Sequence, residues 1–241
     1  MKVIALIPAR YAATRFPAKL MQTLGDKPVI RHTYDATVAT GLFDEVIVVT
    51  DSDIIYGEIT AHGGKAVMSV KQHESGSDRI AEAIADMDVD VVINVQGDEP
   101  FIRKEPLEKL VRLFDDPSVR VGSLIRKITE AEELLANSCV KVVVNKFNDA
   151  LYFSRSVIPF AANPAVPAPY FLHVGVYGFR KQTLLDFTTW QPGRLEQVEK
   201  LEQLRYLENG VTIRMAEVEF TSVAIDTPED LQKAKTILTD Q

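Results

Sequence analysis

The sequence predicts an α/β fold with a mostly parallel sheet and helices on both faces. Three observations predict it. Apolar, β-branched runs alternate with helical patterns through the first 100 residues, the signature of strand–helix–strand units. Glycine, proline and capping residues punctuate these runs, so the alternation has clear boundaries. After residue 118 the pattern changes, and strand-like runs follow one another with little helix between them. That spacing fits antiparallel strands added to the sheet or projecting from it.

The elements follow in order. KVIALI (2–7) is apolar throughout, as a strand covered on both faces must be. A loop runs to about Lys27. Pro28 is suited to open a helix, PVIRHTYDATVAT, which stops at Gly41. EVIVVT (45–50) is the second strand, and residues 53–61 form a helix ended by Gly63 and Gly64. KAVMSV (65–70), the helix SDRIAEAIADM (77–87), DVVINV (90–95) and the helix EPLEKLVRLF (105–114) complete the alternation. Downstream, VRVGSLIRKI (119–128), VKVVVN (140–145) and LHVGVYGFR (172–180) read as strands, with the proline-rich IPFAANPAVPAPY (158–170) among them. QPGRLEQVEKLEQLRYLENG (191–210) reads as one amphipathic helix. Leu195, Val198, Leu201, Leu204 and Leu207 share a face, and Gly210 is the stop. TIRMAEVEF (212–220) is a late strand. In AIDTPEDLQKAKTIL (224–238), Thr227 is the N-cap, Pro228 the first helical residue, and Glu229 and Asp230 the acidic first turn.

Composition removes several function classes. A length of 241 residues suits one large α/β domain or a domain with a sizeable insertion. The net charge of -7 argues against a protein that coats nucleic acid, because that task relies on Lys and Arg against phosphates. No run approaches the ~20 apolar residues of a membrane span. The N-terminal apolar stretch is too short for the core of a signal peptide. Cys139 is the only cysteine, which excludes an internal disulfide and a Cys-based zinc site. The simplest reading is a cytoplasmic protein with no membrane insertion and no nucleic-acid partner.

Against this acidic background, residues 3–21 hold Arg10, Arg15 and Lys19 and no acid. They follow the first strand, and in parallel sheets ligands bind beyond the carboxyl ends of strands. Neither GxGxxG nor GxxxxGK[ST] occurs there, so a dinucleotide fingerprint and a P-loop are excluded. Side-chain cations with backbone N–H groups remain as a way to hold a triphosphate, and a solvated basic loop is the plain alternative. INVQGDEPFI (93–102) ends a buried strand in Gln96, Gly97, Asp98 and Glu99. Asp98 is placed to serve a metal-bound nucleotide, or else to cap the next turn. Asp226 ends another segment and is either a second ligand or part of a helix start. Ser75, Gly76 and Arg79 open a helix, either as an ordinary cap or as a loop that reads a base or phosphate. Arg155, His173, Tyr177, Glu202 and Gln203 carry no decisive spacing of their own.

Together these blocks resemble a known family. IPARYAATRFPAK (7–19), HESGSDR (73–79), NVQGDEP (94–100), ALYFSR (150–155), HVGVYGFR (173–180), LEQLR (201–205) and DTPEDL (226–231) resemble, in order, those of the 3-deoxy-manno-octulosonate cytidylyltransferases. The resemblance covers nearly the whole chain and implies a Rossmann-like domain with an antiparallel dimerisation insertion. Residues 1–118 would form the nucleotide-binding half, 119–180 the sugar-site and dimerisation region, and 181–241 the closing helices and strands. It implies a homodimeric nucleotidyltransferase that moves CMP from CTP to the acidic sugar Kdo with Mg2+, for lipopolysaccharide inner-core synthesis. Arg10, Arg15, Lys19 and Asp98 would be catalytic. Pro8, Ala9, Thr14, Ser75, Gly76, Arg79 and Gln96 would join them around the nucleotide. Gln96, Arg155, His173, Tyr177, Glu202 and Gln203 would line the sugar site, and Asp98 and Asp226 would hold the metal. The family pattern has serine and glycine where this chain has Ala13 and Ala18. A cytidylyltransferase for another ulosonic acid such as sialic acid, or a non-catalytic nucleotide-binding protein, are the alternatives.

Overall fold

The computed structural model describes every residue except 13–15, 72, 74, 220–222 and 240–241. It resolves into two compact units, Met1–Leu107 with Thr221–Gln241, and Glu108–Phe220. The expected divisions at 118 and 180 are therefore replaced by boundaries at 107 and 220. The final segment is shared, because its strand joins the second unit while its last helix returns to the first.

The first unit opens with β1 (Val3–Ala9), buried everywhere except at Pro8. The short strands β2 (Thr23–Leu24) and β3 (Lys27–Pro28) pair in an antiparallel hairpin. Then come α1 (Val29–Ala39), β4 (Glu45–Thr50), α2 (Asp53–Ala61), β5 (Ala66–Met68), α3 (Gly76–Ile84), β6 (Val91–Asn94) and the first turn of α4 (Lys104–Arg112), whose residues from Glu108 on belong to the second unit. β1 lies between β4 and β6, all parallel, and β5 pairs with the far edge of β4. The apolar runs read from the sequence are thus strands of one parallel sheet. Pro28 stands at the N-cap of α1 rather than inside it. Gly41, just past its end, has φ 65°, the left-handed stop expected of glycine. Ser52 and Ser75 cap α2 and α3, each accepting a backbone N–H from three residues on.

The segment between β1 and α1 is structured, with a 3-10 turn over Lys19–Met21. Ala18, at its N-cap, has φ 52° and ψ 32°. This left-handed conformation costs a residue with a Cβ about 1–2 kcal/mol. Glycine is what the family pattern has here, and the backbone still makes the turn without it. Ala18→Gly should therefore stabilise the protein by about 0.5–1 kcal/mol, seen as a higher denaturant midpoint at unchanged slope. An unchanged or lower midpoint would refute the strain.

The second unit contains β7 (Val121–Lys127), α5 (Ala131–Leu135), β8 (Lys141–Val144), β9 (Ala150–Ser154), β10 (Phe171–Arg180), α6 (Lys181–Phe187), α7 (Arg194–Glu199), α8 (Leu204–Glu208) and β11 (Ile213–Glu217). β10 runs antiparallel to β7 and β8, β8 and β9 form a hairpin, and β11 lies parallel to β7. The antiparallel expectation holds. β9, α5 and α6 were not evident in the sequence, since each is short and lacks a long periodic pattern. The single helix expected over 191–210 is two helices. Lys200 adopts φ 57° and ends α7, and the chain turns before α8. Leu201 and Leu204 are buried, whereas Val198 is 75% exposed and Leu195 40%. The apolar spacing was real, but the turn at Lys200 sends its first half to the surface. After β11, α9 (Pro228–Thr239) closes the chain in the first unit.

Candidate active site

The first unit contains a cavity of about 330 Å3 where β1 and β6 end and α3 begins. Pro8, Ala9, Arg10, Lys19, Ser75, Gly76, Arg79, Gln96, Asp98 and Asp226 all line it. The predicted Thr14 and Arg15, like Ala13, lie outside the described residues. Gly97 lines the cavity as well, and Ala12, Phe16, Leu20 and His73 line it without having been singled out as site residues. Their proximity to the motifs was the available signal, since every one lies inside a block or next to it.

Lys19 is the electrostatic centre. Its Nζ donates to Asp98 Oδ2 at 2.5 Å and to Asp226 Oδ1 at 2.9 Å. Burial alone pulls the lysine down, but the two carboxylates outweigh it and hold its pKa above the ordinary value of 10.5. The carboxylates meet because their backbones are stitched together, Ile225 N–H donating to Asp98 O at 2.9 Å. Asp226 is then fixed by the cap of α9. Thr227 Oγ1 accepts from Asp230 N–H, while Asp230 Oδ2 accepts from the N–H groups of Asp226 and Thr227. The helix start and the Asp226 carboxylate are thus parts of one arrangement.

Arg79 is only 5% exposed. Its Nη2 donates to Asp51 Oδ2 at 2.7 Å, and its buried Nη1 has no hydrogen-bond partner among the described residues. An unsatisfied buried donor costs about 1–3 kcal/mol, which an acceptor on a ligand would recover. The loop before α3 is pinned from below. His73 Nε2 lies 2.8 Å from Glu82 Oε2, and Glu82 also accepts from Ser69 Oγ. Burial pushes the Glu82 carboxyl up, but these bonds win and hold it below its usual value. Gly97 is also required by packing. A Cβ there would meet Pro8 O at 3.2 Å and the side chains of Ile30 and Leu20 at 3.3 and 3.4 Å. Glycine lets the end of β6 pack against the end of β1.

The second unit gathers most of the predicted sugar residues. β10 carries a register shift between Val174 and Tyr177. Four residues of regular strand span about 13 Å. With the shift, the His173 and Tyr177 rings lie 5.2 Å apart. Burial, reinforced by the charge of Glu202, pushes the Tyr177 hydroxyl well above its ordinary pKa. Gln203 is 6% exposed. The Arg155 guanidinium is anchored by donating to the backbone carbonyls of Glu199 and Asn137 at 3.1 and 3.0 Å.

His173 packs edge-on against Phe153, and its Nε2 lies 3.0 Å from Ser123 Oγ. Ser123 has one hydroxyl hydrogen and directs it at Val176 O, 2.8 Å away. His173 Nε2 is therefore the N–H donor to Ser123. Burial lowers the His173 pKa from 6.5 to about 4, so the ring is neutral near pH 7. A pKa depressed on folding means stability that is complete above 6.5 and lost as pH falls towards 4. Between pH 7 and pH 5 the wild type should lose about 1–2 kcal/mol more than His173→Asn, in urea titrations at both values. Equal losses would contradict a neutral His173.

Comparison with known proteins places this geometry in a family. The cytidylyltransferase family model matches residues 4–213. A 3-deoxy-manno-octulosonate cytidylyltransferase of Flavobacterium johnsoniae is 57% identical, with all of both chains covered. The chain belongs to the 3-deoxy-manno-octulosonate cytidylyltransferase family. The enzyme of that name from Christiangramia forsetii is 49% identical over 98% of this chain and 97% of its own. A solved structure, CMP:2-keto-3-deoxy-manno-octonic acid synthetase complexed with CTP, superposes with a TM-score of 0.95. It is 40% identical, and the match covers 100% of this chain and 99% of that one. This cytidylyltransferase is therefore a nucleotidyltransferase of mixed α/β fold, as its motif order predicts. Among its described residues no helix is long and apolar enough to cross a membrane.

Proposed function

We propose that this cytidylyltransferase transfers CMP from CTP to the anomeric hydroxyl of Kdo, releasing pyrophosphate and supplying CMP-Kdo for the lipopolysaccharide inner core. The observation that carries the reading is the convergence of Asp98 and Asp226 on one cation position inside a cavity at the strand ends. A CTP-complexed relative with a TM-score of 0.95 supports the nucleotide.

The donor set suits magnesium. Mg2+ takes one or two carboxylates and completes its shell with water and substrate phosphates. Asp98 and Asp226 are two such carboxylates, and the Lys19 ammonium stands where a cation is wanted. Among the described residues no group of three or more acidic, His or Cys side chains could hold a metal alone, so the remaining ligands would come from substrate and water. When bound, Mg2+ would neutralise phosphate charge and polarise the α-phosphate. The chain's own residues do the rest. Arg10 and Lys19, with Arg15, hold the triphosphate and offset charge on the departing pyrophosphate. The unsatisfied Nη1 of Arg79 offers a donor to the nucleotide. Gln96, Arg155, His173, Tyr177, Glu202 and Gln203 receive the acidic sugar, whose hydroxyl attacks the α-phosphorus in line. With its pKa near 4, His173 serves as a neutral hydrogen-bonding group in this scheme.

Two further features belong to the same proposal. A homodimer accounts for apolar side chains displayed by the second unit, including Leu151 on β9, Phe160 in the proline-rich loop and Val198 on α7. Sedimentation at twice the monomer mass tests it, and a single monomeric species refutes it. A cytoplasmic location suits a chain with one cysteine and a CTP-dependent reaction. The function itself is tested by pyrophosphate release with CTP, Kdo and Mg2+, with ATP, GTP and UTP compared. Release with sialic acid but not Kdo would move the activity to another ulosonic acid. Tight CTP binding without release for any acidic sugar would make this a nucleotide-binding protein.

A further inference from the structure

We propose that Lys141 and Glu199 are positioning residues for the sugar half of the site, gripping the backbone of Arg155 from both ends. The inference rests on the reading above that Arg155 serves the acidic sugar.

Lys141 is 0% exposed. Its Nζ donates to the carbonyl oxygens of Ala136, Cys139 and Arg155 at 2.9, 2.8 and 2.6 Å. Three acceptors use every N–H of an ammonium, whereas a neutral amine has only two. Lysine is almost never fully buried without a paired charge, and an apolar side chain would fill the space at lower cost. What lysine adds is a fixed point for three carbonyls. One belongs to Arg155. The other two fix the turn before β8, and that turn presents Asn137 O to Arg155 Nη1.

Glu199 holds the opposite end. Its Oε2 accepts the Arg155 backbone N–H at 3.1 Å, and its Oε1 accepts from Ser154 Oγ at 2.7 Å. Its own carbonyl accepts Arg155 Nε. The backbone N–H and C=O of Arg155 are thus each held by a charged side chain, one negative and one positive.

Two local choices here oppose secondary-structure preference. Glu199 is the last residue of α7, where the helix dipole disfavours negative charge. Lys200 adopts a left-handed conformation that favours glycine. Both are unfavourable alone, and both serve the turn that leads to Glu202 and Gln203. Locally disfavoured choices of this kind concentrate at functional sites.

The experiment is steady-state kinetics on Glu199→Ala, Glu199→Gln, Lys141→Met and Arg155→Ala, with thermal midpoints. Glu199→Ala and Lys141→Met should raise KM for Kdo by about tenfold or more, with KM for CTP within about twofold of wild type. Glu199→Gln, which keeps one carbonyl acceptor, should recover part of the loss. If Lys141→Met does not fold, the two Glu199 variants decide alone. A raised KM for Kdo in Arg155→Ala with normal values in Glu199→Ala overturns the clamp and leaves the sugar reading standing. An unchanged KM in Arg155→Ala removes the sugar reading and the clamp with it. A parallel rise in both KM values with a lowered midpoint would assign Lys141 and Glu199 to the fold alone.

Discussion

Asp98→Asn should lower turnover by about a thousandfold while the protein stays folded. The substitution keeps the shape and removes one of two negative charges that face the same cation position. The two segments stay joined, because the bond from Ile225 uses the Asp98 carbonyl of the backbone and not its side chain. Pyrophosphate release at saturating CTP and Kdo, with circular dichroism as the control for folding, reads the effect. Near-normal release would sink the assignment of Asp98 to the reacting phosphate.

Lys19→Met should act in two directions at once. Turnover should fall by about a hundredfold, because a cation proposed to serve the phosphates is lost. In the absence of CTP, however, divalent ions should bind more tightly. The ammonium of Lys19 lies within hydrogen-bond distance of both carboxylates, where it competes with any other cation for their charge. Removing it takes away one positive charge that Asp98 and Asp226 share. Calorimetric titration with Mn2+ should show about a tenfold gain in affinity over wild type, and the gain should vanish in the double variant with Asp98→Asn. Unchanged turnover together with unchanged Mn2+ affinity would remove Lys19 from the site.

Much of this molecule was legible in its sequence. Buried parallel strands need apolar side chains on both faces, so KVIALI, EVIVVT and DVVINV announced β1, β4 and β6 directly. The cap at Thr227 was equally plain, because it depends on residues three positions apart. The cavity was anticipated in the same way, since a parallel sheet presents its ligand site at the strand ends, where Arg10, Lys19, Gln96 and Asp98 stand. The helix expected over 191–210 shows where such reading stops. Its leucine spacing was correct, yet the helix breaks at Lys200, where Glu199 is engaged by Tyr152 and Ser154 of β9 and by Arg155 just after it.

The sequence alone therefore determined most of the strands, several capped helices, the family and the charged residues that line the cavity. Each depends on neighbours within a few positions or on motif order along the chain. Only the tertiary structure decided that Lys19 lies between Asp98 and Asp226, that Arg79 keeps an unsatisfied Nη1, and that Lys141 is buried beneath three carbonyls. These are contacts between segments far apart in sequence. Their geometry is set by how strands and turns pack, and no local pattern encodes which polar groups will meet when water is excluded from between them.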